Sequence, residues 1–101
     1  MYDMKKIQHL GKFKELAPEA WKGFVEFDRA ALADGAIPAR TKELIAIAVA
    51  MTTQCPYCIE IHVDKAKKAG CTEAEIAEAV MVAAALRAGA AITHGTHAIG
   101  S

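Results

Sequence analysis

The sequence predicts an all-α bundle of about five to six helices, and three observations carry that expectation. Apolar residues recur at helical spacing along most of the chain. No stretch alternates β-branched and polar residues between turn signals, as a half-buried strand would. Prolines, a capping pattern and glycines mark off segments of helical length.

The first dozen residues hint at a short helix. Pro18 suits the first position of a helix, where its fixed φ is already correct and its missing amide costs nothing. That helix places Trp21, Phe24, Val25, Asp28, Ala31 and Leu32 on one side and ends near Gly35. Pro38 opens the next, in which ELIAIAVAM from Glu43 to Met51 is apolar all round, as in a central helix covered by neighbours. The helix stops before Pro56, because a proline ring drives the preceding residue out of the α region. Cys55 is therefore a boundary, and Pro56 starts a third helix that runs to about Ala69, with Gly70 as a left-handed cap. Thr72-Glu73-Ala74-Glu75 fits a capping box at the start of a last helix. From Ala79 to Ile92 that helix reads AVMVAAALRAGAAI, interrupted only by Arg87; its small side chains suit a core helix or a subunit interface. No repeat, linker or boundary divides the chain, so residues 1–101 are read as a single domain.

A chain of 101 residues withdraws only about 60–70% of its unfolded surface from water. Yet 53% of its residues are hydrophobic, mostly small aliphatics, and self-association is the natural outlet for the surplus. Twelve basic residues balance twelve acidic ones, so no positive field draws phosphate backbones or anionic lipids, and nucleic acid and membrane are excluded as expected partners. The opening MYDMKKIQHL lacks the apolar core of a signal peptide, and the longest uncharged apolar run, LIAIAVAM, falls short of the ~20 residues that span a bilayer. A cytoplasmic protein is the expectation. In that reducing compartment three cysteines point to chemistry or metal binding rather than a disulfide scaffold.

The chemistry concentrates in QCPYCIEIH, Gln54 to His62. Residues three apart on a helix have Cα atoms ~5 Å from each other, within the range a disulfide bridges. His62 lies ~20° from Cys55 and ~40° from Cys58 on the same wheel, so one narrow stripe carries all three side chains. Both cysteines fall in the first turn, where free amides and the helix dipole favour a thiolate. An ordinary thiol of pKa ~8.5 is only ~3% ionised at pH 7, and lowering it to ~6.5 takes ~2.7 kcal/mol. A helix end supplies ~0.3–1 kcal/mol when exposed and up to ~2 when partly buried, so a second contribution is needed, and His62 is placed to provide it. Two other readings stay open here: a pair of buried, reduced cysteines, and a zinc site in which Glu43 or Cys71 completes the set begun by Cys55, Cys58 and His62.

Glu43, eleven intervening residues, Cys55-Pro56-Tyr57-Cys58 and His62 together form E-x11-C-x-x-C-x3-H. With a helical frame covering about residues 18 to 95, this resembles the carboxymuconolactone decarboxylase-like superfamily, in particular its alkylhydroperoxidase D-like branch. The resemblance implies a CxxC-dependent peroxidase or disulfide oxidoreductase. Cys58 would be the thiolate that attacks a hydroperoxide; Cys55 would protonate the leaving group and then resolve the sulfenic acid as a Cys55–Cys58 disulfide; His62 and Glu43 would relay protons. It further implies a thiol or dithiol reductant protein as partner, a homotrimer or homohexamer, and neither cofactor nor resident metal. Where the branch often has a further histidine inside the CxxC, this chain has Tyr57. The competing classes are a non-enzymatic helical oligomer that binds a metal or small ligand, and a lactone decarboxylase of the same superfamily. A carboxylate directly against a thiolate would hinder ionisation, so Glu43 is expected to face His62 instead. Cys71 reads as an unreactive neighbour of a helix turn, His94 and His97 as tail or interface residues, and His9 as a surface residue.

Overall fold

The computed structural model describes residues 3–100, all helical or irregular; residues 1, 2 and 101 of the expected single domain lie outside the described residues. A 3₁₀ helix, Met4–Gly11, comes first, with Oδ1 of Asp3 accepting from the Lys5 amide at 3.0 Å. Five α-helices follow: α1 (Lys12–Leu16), α2 (Pro18–Leu32), α3 (Ala39–Thr53), α4 (Pro56–Lys68) and α5 (Glu73–His94), with a closing 3₁₀ turn at Gly95–His97. The expected helical bundle is observed, and the hint of a short N-terminal helix resolves into the 3₁₀ segment plus α1.

The core lies where α3, α4 and α5 meet. Ile47 of α3 and Ala66 of α4 are fully covered, Cys71 joins them, and Leu44, Met51, Val63, Ile76 and Val80 pack around the cluster. Covering a side chain the size of Ile47 is worth about 1.5–3 kcal/mol. Cys71 is there because of how α4 ends. Gly70 takes φ +90°, its amide bonds to the Lys67 carbonyl at 3.0 Å, and the Cys71 amide bonds to the Ala66 carbonyl at 2.9 Å. This is the paired closure of a Schellman motif, whose usual companion is an apolar contact between the two outer residues, here Ala66 and Cys71.

The N-termini of α3 and α5 are stapled together. Arg40 donates through Nη1 to Oε2 of Glu75 at 2.9 Å and through Nη2 to Oε1 at 2.6 Å, while Nη2 also reaches the Gly70 carbonyl at 3.1 Å. Glu75 simultaneously closes the expected capping box, accepting from the Thr72 amide at 2.8 Å while its own amide donates to the Thr72 hydroxyl at 3.1 Å. At the other end of the bundle, Nη1 of Arg87 donates to the Thr52 carbonyl at 3.1 Å. The one charge in the apolar stretch of α5 thus satisfies an open carbonyl at the end of α3.

Three features differ from the expectations. Helix α2 ends at Leu32 rather than near Gly35, because the following residues serve α3: Oδ1 of Asp34 accepts from the Ala39 amide at 2.7 Å, and the Lys42 ammonium donates to the Ala33 carbonyl at 2.6 Å. Helix α3 is central, yet its apolar surface is not covered all round; Ile45 is 46% and Val49 54% exposed. Finally, the segment Glu73–His97 is long and apolar enough, by length and composition, to cross a membrane, although no single uncharged run is. The lone Arg87 breaks the run without lowering the average enough to matter.

Candidate functional site

Two local events place the sulfurs. Gln54 adopts a left-handed backbone, φ 56° and ψ 44°, and its amide and that of Cys55 both turn back to the Ala50 carbonyl. The chain reverses there, and Cys55, extended at φ −99° and ψ 100°, becomes the N-cap of α4 with Pro56 at the first helical position. A cysteine at an N-cap offers its sulfur to the open amides of the first turn. Accordingly the Cys58 amide donates to Sγ of Cys55 at 3.3 Å. Cys55, Cys58 and Cys71 are all free thiols in this structure.

The two sulfurs are not equivalent. The Cys55 thiol lies below its ordinary value, first because the Cys58 thiol donates to it, then because the Cys58 and Tyr57 amides do; partial burial opposes them. The Cys58 thiol is pushed up to about 11, chiefly by that same hydrogen bond to Cys55, with loss of water and the neighbouring negative charge adding to it. Within the pair, ionisation is favoured at Cys55 and opposed at Cys58. The expectation had the thiolate on Cys58 and the proton donor at Cys55. The two shifts run against that order; they arise first from the hydrogen bond between the thiols and then from the amide of the third helical residue, which aims at the capping sulfur, a direction that residue spacing does not reveal.

His62 stands one turn beyond Cys58 on α4, and its Nδ1 lies 2.7 Å from Oε2 of Glu43 on α3. Both side chains are largely buried, 17% and 12% exposed. With the carboxylate accepting at Nδ1, the neutral imidazole keeps an acceptor at Nε2. Glu43 thus faces the imidazole rather than a thiol, as anticipated. The contact also ties α3 to α4 behind the sulfurs.

Cys55, Cys58 and His62 open into one cavity of about 530 Å³. Its apolar walls are Ile7, Leu10, Trp21, Phe24 and Ile61, and its other polar groups are Lys6, Asp28, Tyr57 and Lys65. On the Glu43 side lies a second cavity of about 420 Å³, which Asp28 and Lys65 also border, together with Arg29. The Glu43–His62 pair is thus a partition with one member lining each space. Sequence reasoning missed most of these walls. The α2 stripe, read only as one side of a helix, contributes Trp21, Phe24 and Asp28 to the sulfur cavity. Lys65 was recognisable, being one turn beyond His62 on the same stripe. Ile7 and Leu10 carried only the signal of apolar residues three apart.

The zinc alternative finds no support in the side-chain arrangement: among the described residues no three His, Cys, Asp or Glu side chains converge to hold an ion. Glu43 is engaged by His62, and Sγ of Cys71 donates to the Arg40 carbonyl at 3.7 Å. Cys71, beside the turn after α4, is buried in the core, and His9 is exposed, as anticipated for a surface residue. The His94 and His97 rings sit 5.8 Å apart at the end of α5, away from the sulfurs in the chain and outside the residues that line their cavity.

Residues 18–99 match the family described as Carboxymuconolactone decarboxylase family. Among curated proteins, "Uncharacterized protein 4 in cox locus" of Paracoccus denitrificans is 46% identical over 90 residues, covering 89% of this chain and 81% of that protein. An uncharacterized protein of Cupriavidus necator is 32% identical over 75 residues, 74% of this chain and 66% of the relative. The crystal structure of an apo carboxymuconolactone decarboxylase family protein from Legionella pneumophila aligns with a TM-score of 0.78 at 39% identity, covering 82% of this chain and 75% of that one. That of a protein from Methanobacterium thermoautotrophicum aligns at 0.82 with 36% identity, covering 87% and 99%.

Proposed function

The chain belongs to the carboxymuconolactone decarboxylase family, and from that premise we propose that it is a thiol peroxidase of the alkylhydroperoxidase D-like kind, reducing hydroperoxides through Cys55 and Cys58. One observation carries the reading: a single cavity receives both sulfurs and an imidazole whose far nitrogen is held by a carboxylate at 2.7 Å.

The directions in which the two thiols are shifted support the following steps. The Cys55 thiolate attacks the distal oxygen of ROOH, the O–O bond breaks heterolytically, and Cys55 becomes a sulfenic acid, oxidised by two electrons. The departing alkoxide takes the proton of the Cys58 thiol and leaves as ROH. Cys58, now a thiolate, attacks the Cys55 sulfur and displaces hydroxide, forming the disulfide. His62, oriented by Glu43, returns the proton that Cys55 lost on ionising, and the hydroxide leaves as water. A thiol or dithiol reductant protein then restores both thiols with two electrons and two protons. These roles exchange the two cysteines relative to the expectation drawn from the family resemblance; Glu43 and His62 keep theirs. The working unit in this reading is a homo-oligomer, a trimer or hexamer.

The test is site-resolved. Treated with one equivalent of hydroperoxide, the protein is expected to lose two thiols and gain a Cys55–Cys58 bond, seen by mass spectrometry after digestion. A Cys58→Ser variant should accumulate a trappable sulfenic acid on Cys55, whereas Cys55→Ser should react orders of magnitude more slowly. Sulfenic acid trapped on Cys58 in the Cys55→Ser variant at the wild-type rate would restore the first assignment of roles. Thiols that survive the oxidant untouched would remove the peroxidase reading altogether.

A further inference from the structure

We infer that the 3₁₀ segment Met4–Gly11 is the substrate-selecting wall of the sulfur cavity, where Ile7 and Leu10 hold the apolar body of an organic hydroperoxide against Trp21 and Phe24. The inference rests on the hydroperoxide reading above and names which part of the substrate is recognised, and by what.

A 3₁₀ helix has three residues per turn, so side chains three apart eclipse one another and Ile7 and Leu10 share a face. Both line the cavity into which the sulfurs open. The facing wall is aromatic and braced: Trp21 sits between Phe13, 6.0 Å away and nearly parallel at 19°, and Phe24, 5.7 Å away at 38°. Ile7 is only half-buried and Leu10 is 42% exposed, so neither is used up in the core built by α3, α4 and α5. Size makes the same point. The space of about 530 Å³ is far larger than the ~30 Å³ share of a water molecule, so a ligand on the scale of hydrogen peroxide would use a small fraction of it. Cavities of this volume whose exposed walls are mostly apolar fit organic ligands. The segment also lies outside the family match, which begins at residue 18. Sulfurs, imidazole and carboxylate lie within the matched residues; the Met4–Gly11 segment does not. Substrate choice can therefore change here without disturbing the chemistry.

The experiment compares the wild-type chain with an Ile7→Ala/Leu10→Ala double variant, using cumene hydroperoxide, hydrogen peroxide and the unreactive alcohol 2-phenyl-2-propanol. Trp21 is the only tryptophan, so its fluorescence reports alcohol binding without turnover. Removing apolar contacts from a hydrophobic pocket weakens discrimination by about ten-fold or more. The double variant should lose that factor in kcat/KM for cumene hydroperoxide, mostly through KM, and bind the alcohol correspondingly less tightly. Its rate with hydrogen peroxide should fall far less than its rate with cumene hydroperoxide, and circular dichroism should show an intact helical core. The inference fails if both peroxides slow equally, if the variant binds the alcohol as well as wild type does, or if wild type does not bind it. Alcohol binding that depends on Ile7 and Leu10 in a protein that consumes no hydroperoxide would keep the wall and discard the peroxidase reading.

Discussion

At the scale of single residues, the asymmetry between the two thiols is the feature with the sharpest consequence. Cys55 lies below the ordinary thiol value and Cys58 at about 11, and each owes its shift first to the bond between them. Alkylation followed against pH and resolved by peptide should show Cys55 reacting at a pH where Cys58 stays protonated and silent. The Cys55 rate should fall as pH drops through its lowered value. In Cys58→Ala the donated hydrogen bond is gone, and the Cys55 profile should move up towards that of a free thiol. Cys58 reacting first near neutrality would contradict the arrangement. Part of this site was legible in the sequence because Cys55, Cys58 and His62 share one helix, where spacing alone sets the angle between side chains. Glu43 is nineteen positions from His62 and on another helix, so only the family pattern suggested their meeting. The direction of the two shifts was not legible, because it depends on the bond between the thiols and on which amide points at which sulfur.

Among the elements, the joint between α3 and α5 makes the most specific statement about stability. The Arg40 guanidinium, with help from the Thr72 amide, holds the Glu75 carboxyl down at about 2. An unfolded glutamate titrates near 4.3. Because the folded value is the lower one, this contribution is complete above roughly pH 4.3 and disappears as pH falls towards about 2. A Glu75→Gln variant should therefore melt below wild type at neutral pH, with the gap in melting temperature closing through the acid window. A gap that stays constant down to the acid limit would mean that the carboxylate charge is not what joins these helices. Element boundaries were readable wherever a backbone rule sets them: Pro18 and Pro56 at first positions, Gly70 past the end of α4, Thr72 and Glu75 in the capping box. They were misread where a side chain from the neighbouring loop intervened, as Asp34 does by capping α3 rather than extending α2. The docking of the N-terminal segment and of α2 over the sulfurs is a tertiary matter with no local signature.

For the whole molecule, the chain is more open than a compact monomer of its mass, which supports the proposed oligomer. Its accessible surface is 7714 Å², whereas a monomer of its mass typically shows about 5,500 Å². Its radius of gyration is 16.8 Å against about 13 Å for a compact chain of this length. The surplus of roughly 2,200 Å² per chain is on the scale buried in obligate oligomers. Much of it is apolar: Met81, Val82, Leu86 and Ile92 of α5 are 57–76% exposed, and Val49 of α3 is 54% exposed. Sedimentation equilibrium is expected to return a multiple of 10.8 kDa at micromolar concentration, and Leu86→Glu to lower the assembly state. A well-folded monomer of unchanged helicity would refute the oligomer. Composition had already signalled surplus apolar content, because that is a property of the sequence as a whole; which faces carry it emerged only when the helices were placed.

Helix α5 has one more consequence, for the period between synthesis and assembly. A newly released chain carries a rod that passes for a membrane anchor by length and composition. If association is what hides it, thermal tolerance becomes a function of expression level, and a scarce chain is lost to proteolysis or insertion machinery that an abundant one escapes. For such a protein, dilution acts as a denaturant.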